Sequence, residues 1–231
     1  MDFSPDDVTA IFLSLKIALW SVLASLPFAV AIGSLLARVD FPGKTLFDAV
    51  VHLPLVLPPV VIGFALLLLF GRNGPLGAVL DRWFGIVIAF RWTGAALAAA
   101  IMGFPLMVRA IRLSISAVDR RLETAARTLG ASPLRVFITI TLPLTIPGIV
   151  TGALLCFARS LGEFGATITF VSNIPGETQT LPIAIYGATQ IPGGDWQALR
   201  LSLVAALLSV AALAASEWLT RRAKLEHGPW A

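Results

Sequence analysis

The sequence predicts an all-α membrane protein, a helical bundle that crosses the bilayer about five times. Of its 231 residues, 57% are hydrophobic and only 13% are charged, whereas a soluble domain carries about 25% charged residues. The mean hydropathy is +0.88, so there is too little polar surface for a water-soluble fold of this length. The apolar residues also fall into runs of membrane-spanning length, which indicates helices that cross a bilayer.

Five segments are long and apolar enough to cross the hydrocarbon layer, which is about 30 Å thick and takes about 20 residues of helix. Backbone polar groups in lipid must be hydrogen-bonded within their own segment, so each is predicted to be a helix. Two further apolar stretches, 83–90 and 178–194, are predicted to be interfacial or re-entrant, with a sixth span at 178–194 as the alternative. The five predicted spans are about 9–37, 49–70, 92–113, 141–163 and 198–219.

Basic residues are distributed unevenly between the two sides of these spans. With the N-terminus outside, the cytoplasmic segments hold 11 of the 17 lysine and arginine residues, and the outer segments hold four. Because cytoplasmic loops carry an excess of basic residues, we expect the N-terminus outside and the C-terminus in the cytoplasm. The sequence pI of about 10.0 then reflects orientation in the lipid bilayer, and no nucleic-acid partner is expected.

Residues that could carry covalent chemistry are sparse. The single cysteine, Cys156, lies in an apolar run and excludes a disulfide framework within the chain. His52 and His227 have no metal-ligand spacing, so no metal site is expected. The Gly-Lys-Thr triplet at 43–45 lacks the upstream glycine of a phosphate-binding loop, because Arg38 stands in that position. We therefore expect no catalytic site and no cofactor in this chain.

The segment at about 114–143, cytoplasmic by the charge distribution, has the pattern of two short helices joined at a glycine. A helix is predicted over 123–129, with Asp119 able to cap its start and Gly130 able to stop it. A second short amphipathic stretch begins after Pro133 and leads into the fourth span. From these residues alone, a rigid projection moved by a partner protein and an ordinary solvated loop are both open.

The same segment resembles the EAA loop of ABC-importer permeases. Two alanines are followed four residues later by a glycine, and an Ile-x-Leu-Pro sequence begins ten residues after that glycine. The usual glutamate is displaced by one position, because Thr124 stands in its place and Glu123 precedes it. The resemblance implies that this loop, including Glu123, forms a coupling helix that docks on a cytoplasmic ATPase. The residues at the matching spacing are Ala125, Ala126, Gly130, Ile140, Leu142 and Pro143.

Three further stretches resemble one branch of that family, the molybdate permeases. The resemblance implies the fold of a type I (MetI-like) ABC importer permease, with one transmembrane domain over 1–231 and its core at about 8–220. The three stretches are 52–61, 104–112 and 158–167.

The resemblance also implies a set of partners. It implies a multi-pass homodimer in the inner membrane, supplied by a periplasmic molybdate-binding protein. A separate ABC ATPase subunit would hold ATP and Mg²⁺ on the cytoplasmic side. Transport of tungstate or of sulfate and thiosulfate is the nearest alternative, since such dianions differ little in shape. An ATP-independent secondary transporter is less favoured, because no internal repeat is present and Glu163 is the only acid clearly deep in a span.

Five residues within the spans are candidates for a gate or for the lining of the pathway. Pro54, Pro58 and Pro59 lie in the second span, where proline frees backbone carbonyls and kinks a helix. Arg159 and Glu163 are four residues apart in the outer part of the fourth span, so they share a helix face. A charge at the membrane centre costs about 2.5–3.5 kcal/mol on insertion scales, which makes such residues functional candidates. A packing kink and a mutually neutralising pair are the structural alternatives.

Overall fold

The computed structural model describes residues 3–226, and within them the regular secondary structure is helical, as predicted. A short 3₁₀ turn follows α2, and a π-helical segment precedes α8. The helices are α1 (Pro5–Arg38), α2 (Lys44–His52), the 3₁₀ turn Leu53–Leu55, α3 (Pro59–Phe70), α4 (Pro75–Phe84), α5 (Trp92–Ala117), α6 (Arg120–Thr128), α7 (Pro133–Val136), the π-helical segment Phe137–Thr141, α8 (Leu142–Leu161), α9 (Gly165–Val171), α10 (Leu181–Thr189) and α11 (Asp195–Glu226).

Four helices in the described part of the chain are long and apolar enough to cross a membrane. They are α1, α5, the continuous helix Pro133–Leu161 that includes α7 and α8, and the stretch Asp195–Ala215 of α11. A fifth crossing results when the bent pair formed by α2 and α3 is counted as one span. The predicted all-α bundle of about five apolar helices is thereby confirmed.

The second predicted span, 49–70, differs from a straight helix. The segment Lys44–Leu55 and helix α3 are bent by 105° relative to each other. Pro54 lies inside the 3₁₀ turn, Pro58 directly precedes α3, and Pro59 is its first residue. Because proline has no N–H to donate and clashes with a preceding helical turn, the three prolines interrupt the helix rather than kink it.

Neither of the two ambiguous apolar stretches forms a span. Helix α10 has nine residues, which at 1.5 Å per residue is about 14 Å of helix. That length is about half the hydrocarbon thickness, so 178–194 does not form the alternative sixth span. Helix α4 has ten residues and ends at Phe84, inside the stretch 83–90.

Helices α1, α5 and α8 pack together at the centre of the bundle. Ala98 and Ala99 of α5 are fully buried, and such small residues let helix backbones approach closely. Ser21 of α1 and Ser160 of α8 are hydrogen-bonded through their hydroxyls at 2.8 Å. This bond fixes the relative depth of the two helices.

Each of these central helices contains an internal proline. The prolines are Pro27 in α1, Pro105 in α5 and Pro147 in α8. A proline inside a helix donates no hydrogen bond to the carbonyl four residues earlier. Each central helix therefore has one interruption in its hydrogen-bond ladder.

Candidate functional site

The segment predicted to be two short helices joined at a glycine has that structure. Asp119 Oδ1 accepts a hydrogen bond from Arg121 N at 2.9 Å and caps the start of α6, as predicted. Helix α7 begins in the same way at Ser132, whose Oγ accepts from Arg135 N at 3.3 Å. We refer to residues 119–136 as the elbow.

Gly130 ends α6 in the left-handed conformation that its sequence position predicts, with φ of +88°. Its N–H donates to the carbonyl of Arg127 at 3.0 Å, and the next N–H, from Ala131, donates to the carbonyl of Ala126 at 3.1 Å. These two bonds form a Schellman motif, which favours glycine at this position. The angle between α6 and α7 therefore depends on one left-handed residue.

The outer surface of the elbow exposes three leucines among arginines and other polar residues. Leu129 is 89% exposed, Leu134 is 68% exposed and Leu122 is 49% exposed. Ala125 is exposed beside them, and Ala126 is half-buried. Exposed apolar side chains on a projecting segment are typical of contact sites, so these leucines are candidates for such a contact. The three leucines lie outside the sequence motif, so sequence reasoning missed them. The position of Leu129 directly before the helix-ending Gly130 is the signal that could have indicated this surface.

Glu123 faces away from that surface. Its carboxylate oxygen Oε1 accepts hydrogen bonds from Arg38 Nη2 at 2.9 Å and from Thr141 Oγ1 at 2.7 Å. Arg38 Nη2 also donates to the carbonyl of Val118 at 3.2 Å. Sequence reasoning missed Arg38 and Thr141, because both lie far from Glu123 in the chain and outside the recognised spacing.

The other three residues of the motif lie at the base of the elbow. Ile140 is in the π-helical segment, and Leu142 and Pro143 begin α8. All three are half-buried. The motif thus divides into two groups. Ala125, Ala126 and Gly130 lie on the elbow, and Ile140, Leu142 and Pro143 join the elbow to the membrane helix α8.

The prolines of the second predicted span lie next to a second interruption between helices. We refer to these two interruptions as the helix breaks. One break separates α2 from α3, and the other separates α8 from α9. A Cβ atom built on Gly165, the first residue of α9, would lie 2.8 Å from Cβ of Pro59. The two breaks therefore lie side by side, with Pro58 and Glu163 close to the contact and Pro54 in the preceding 3₁₀ turn.

Arg159 and Glu163 form an ion pair at the second break. Arg159 Nη1 lies 2.6 Å from Glu163 Oε2, and the side chains are 29% and 2% exposed, respectively. The other carboxylate oxygen, Oε1, accepts a hydrogen bond from Ala166 N at 2.9 Å. Glu163 thus holds the end of α8 and the start of α9 together.

This pair lies at the C-terminal end of α8. Helix α8 ends at Leu161 with Arg159 in its last turn, and Ser160 is hydrogen-bonded to Ser21, midway along the 34-residue helix α1. The location of Arg159 in the outer part of its span stays a prediction. Hydropathy missed the break because α9 continues the apolar run after Gly162, so the sequence reads as one span.

Close packing beside the break gives a stability prediction. A Cβ atom on Gly63 of α3 would lie 2.5 Å from the carbonyl oxygen of Ala166. We expect Gly63→Val to lower the thermal unfolding midpoint of the detergent-purified protein, because overpacking costs about 1–3 kcal/mol. Gly162→Ala is the matched control, since no atom lies within 4 Å of its added Cβ. Equal midpoints for the two variants would contradict the packing of α3 on α9.

Residues 29–225 match the family described as "binding-protein-dependent transport system inner membrane component". The chain belongs to this family. The matched region includes the elbow and both helix breaks. The protein is therefore a multi-pass protein of the inner membrane and a transport permease component.

Three similar proteins are all named as permease proteins of transport systems. The chain is 59% identical to the molybdenum transport system permease protein ModB of Escherichia coli over 95% of this chain and 96% of that one. It is 57% identical to the protein of the same name from Haemophilus influenzae over 96% of this chain and 97% of that one. A probable sulfate transport system permease protein, cysT of Chlorokybus atmophyticus, is 36% identical over 79% of this chain and 63% of that one.

Solved structures of importers have the same fold. A chain of the inward-facing MetNI methionine ABC transporter matches with a TM-score of 0.71 at 16% identity, over 94% of this chain and 95% of that one. A chain of a bacterial alginate ABC transporter, solved with an alginate-bound periplasmic protein, matches with a TM-score of 0.74 at 16% identity, over 95% and 80%. These likenesses identify the fold as that of the MetI-like permeases.

Proposed function

We propose that this chain is the membrane-spanning permease subunit of an ABC importer that carries molybdate across the inner membrane. The observation that supports the substrate best is the 59% and 57% identity to molybdenum permeases along nearly the whole chain. The sulfate permease is more distant at 36% identity, so sulfate, thiosulfate and tungstate are the alternative substrates.

The orientation follows from the distribution of basic residues. The elbow and the C-terminus lie in the cytoplasm, and the N-terminus lies outside. The chain functions as one transmembrane domain over 1–231, with its core at about 8–220 and the coupling loop at about 114–143.

The elbow is the docking surface for a cytoplasmic ATPase, and ATP and Mg²⁺ bind to that subunit. The exposed leucines and the small residues Ala125, Ala126 and Gly130 make the contact. Ile140, Leu142 and Pro143 join the contact to α8. This division of roles matches the exposure of each group.

Two copies of the chain enclose the pathway, and a periplasmic molybdate-binding protein delivers the anion from outside. The proposed gate of each subunit is at the two adjacent helix breaks, with Pro54, Pro58, Pro59, Arg159 and Glu163 in or beside it. Broken helices are tolerated at membrane depth where protein or a water-lined cavity covers them. The proposed role of the Arg159–Glu163 pair is to hold the geometry of this break.

The orientation predicts where an introduced thiol can be labelled. Ser132 is exposed on the elbow, and the native Cys156 is fully buried. We expect Ser132→Cys to react with a membrane-impermeant thiol reagent only in inverted vesicles. Asn73→Cys, in the exposed turn between α3 and α4, is the control and should react in intact spheroplasts. Labelling of Ser132→Cys in spheroplasts would reverse the orientation.

The function itself is tested by uptake of labelled molybdate into vesicles that contain the permease, the ATPase and the binding protein. Uptake should require ATP, and excess unlabelled tungstate should compete more strongly than sulfate. Uptake without ATP would favour a secondary transporter, and stronger competition by sulfate would favour a sulfate permease.

A further inference from the structure

Glu123 lies on the elbow but is turned into the protein. It is the buried residue of α6, with a side chain that is 12% exposed. The neighbouring Thr124 occupies the exposed face and bonds only within its own helix, to the carbonyl of Arg120 at 2.9 Å. Glu123 is therefore unavailable to a protein that docks on the outer surface of the elbow.

The carboxylate of Glu123 joins the ends of four helices. Arg38 is the last residue of α1, Val118 follows the last residue of α5, and Thr141 directly precedes α8. Glu123 binds Arg38 and Thr141 directly and reaches the carbonyl of Val118 through the Arg38 guanidinium. We refer to these four residues as the carboxylate bridge. Hydrogen bonds to charged groups are stronger than those between neutral groups, so the bridge is a strong connection.

The surroundings of the carboxylate bridge leave it room to move. A cavity of about 350 Å³ lies beside it, lined also by Arg127, Val136 and Phe137. The adjoining Phe137–Thr141 segment is π-helical, and π-helical turns occur often at functional sites. A polar connection beside a cavity, next to an irregular turn, can shift without disrupting a packed apolar core.

We propose that Glu123 is a positioning residue, which transmits movement of the elbow to α1 and α8 through the carboxylate bridge instead of contacting the ATPase. This inference rests on the proposed function. In this arrangement the exposed surface binds the ATPase, and the buried carboxylate conveys the displacement to α1 and α8, of which α8 ends at one of the two helix breaks.

The test separates binding of the ATPase from the use of ATP. Glu123→Gln removes the charge that Arg38 pairs with, and Thr141→Val removes the hydroxyl donor but keeps the ion pair. Both variants should retain homodimers and co-purify the ATPase at wild-type levels. The molybdate moved per ATP hydrolysed should fall about fivefold or more, the lower range of coupling between distant sites. Thr141→Ser, which keeps the hydroxyl donor, is the control and should keep the wild-type ratio.

Three results would overturn the inference. If both variants move as much molybdate per ATP hydrolysed as the wild type, the bridge transmits no movement. Loss of ATPase co-purification in Glu123→Gln would make Glu123 a docking contact. Failure of both variants to accumulate as dimers would make the bridge structural. In all three cases the proposed function stands, whereas it fails if the wild-type complex shows no ATP-dependent uptake.

Discussion

Replacement of Gly130 with valine should abolish molybdate transport while membrane insertion and homodimerisation remain intact. Gly130 has φ of +88° and no atom within 4 Å of an added Cβ, so the effect comes from backbone strain alone. A β-branched residue in this conformation is strained by about 1–2 kcal/mol or more. Relief of that strain should change the angle between α6 and α7. Co-purification of the ATPase, followed by ATP turnover with loaded binding protein, measures the loss.

A second substitution tests the same surface without backbone strain. Ala126→Asp places a charge in the half-buried part of the contact and should weaken ATPase association. The controls are Gly130→Asn, because asparagine tolerates the left-handed conformation, and Ala126→Ser, which keeps the side chain small. Wild-type association and stimulated turnover in both Gly130→Val and Ala126→Asp would eliminate the elbow as the docking surface.

Removal of Arg159 alone should sharply lower the yield of folded protein. The Arg159→Ala variant leaves the Glu163 carboxylate, which is 2% exposed, without its cation in the middle of the bundle. Breaking a buried ion pair by removal of one partner lowers the free energy of unfolding by about 3–5 kcal/mol. Because Arg159 is partly exposed, we expect a loss towards the lower end of that range. Size-exclusion chromatography of the solubilised protein measures the yield of dimer.

The double variant Arg159→Ala with Glu163→Ala distinguishes a structural pair from an anion-binding residue. We expect it to recover both yield and molybdate uptake, since no unpaired charge remains. A well-folded double variant that does not transport molybdate would contradict the structural role, and Arg159 would then act on the anion. Thr169→Val, on the neighbouring helix α9, replaces a hydroxyl bonded to its own helix with a methyl group and serves as the control.

Much of the fold follows from local sequence, because hydropathy reports helix length directly. The cap at Asp119 and the stop at Gly130 are also predictable, since each depends on bonds to residues within a few positions. The prolines predict a kink in the second span, but not the interruption with its 105° angle, which depends on packing against α9.

The features that sequence did not predict depend on residues distant in the chain. Glu123 turns inward because Arg38 and Thr141 lie behind it, and no local pattern reports either partner. The end of α8 at Leu161 was also missed, because an apolar α9 conceals that end in a hydropathy profile. The observed site therefore differs from the predicted one because of these long-range contacts.

The internal prolines of the three central helices have a mechanical consequence. Bending stiffness in a helix derives from its continuous ladder of hydrogen bonds, and a proline weakens that ladder locally. Pro27, Pro105 and Pro147 each create such a compliant point within an otherwise close-packed bundle. Elastic deformation should concentrate at these three points, so that the helices flex there while the segments on either side move as stiff rods.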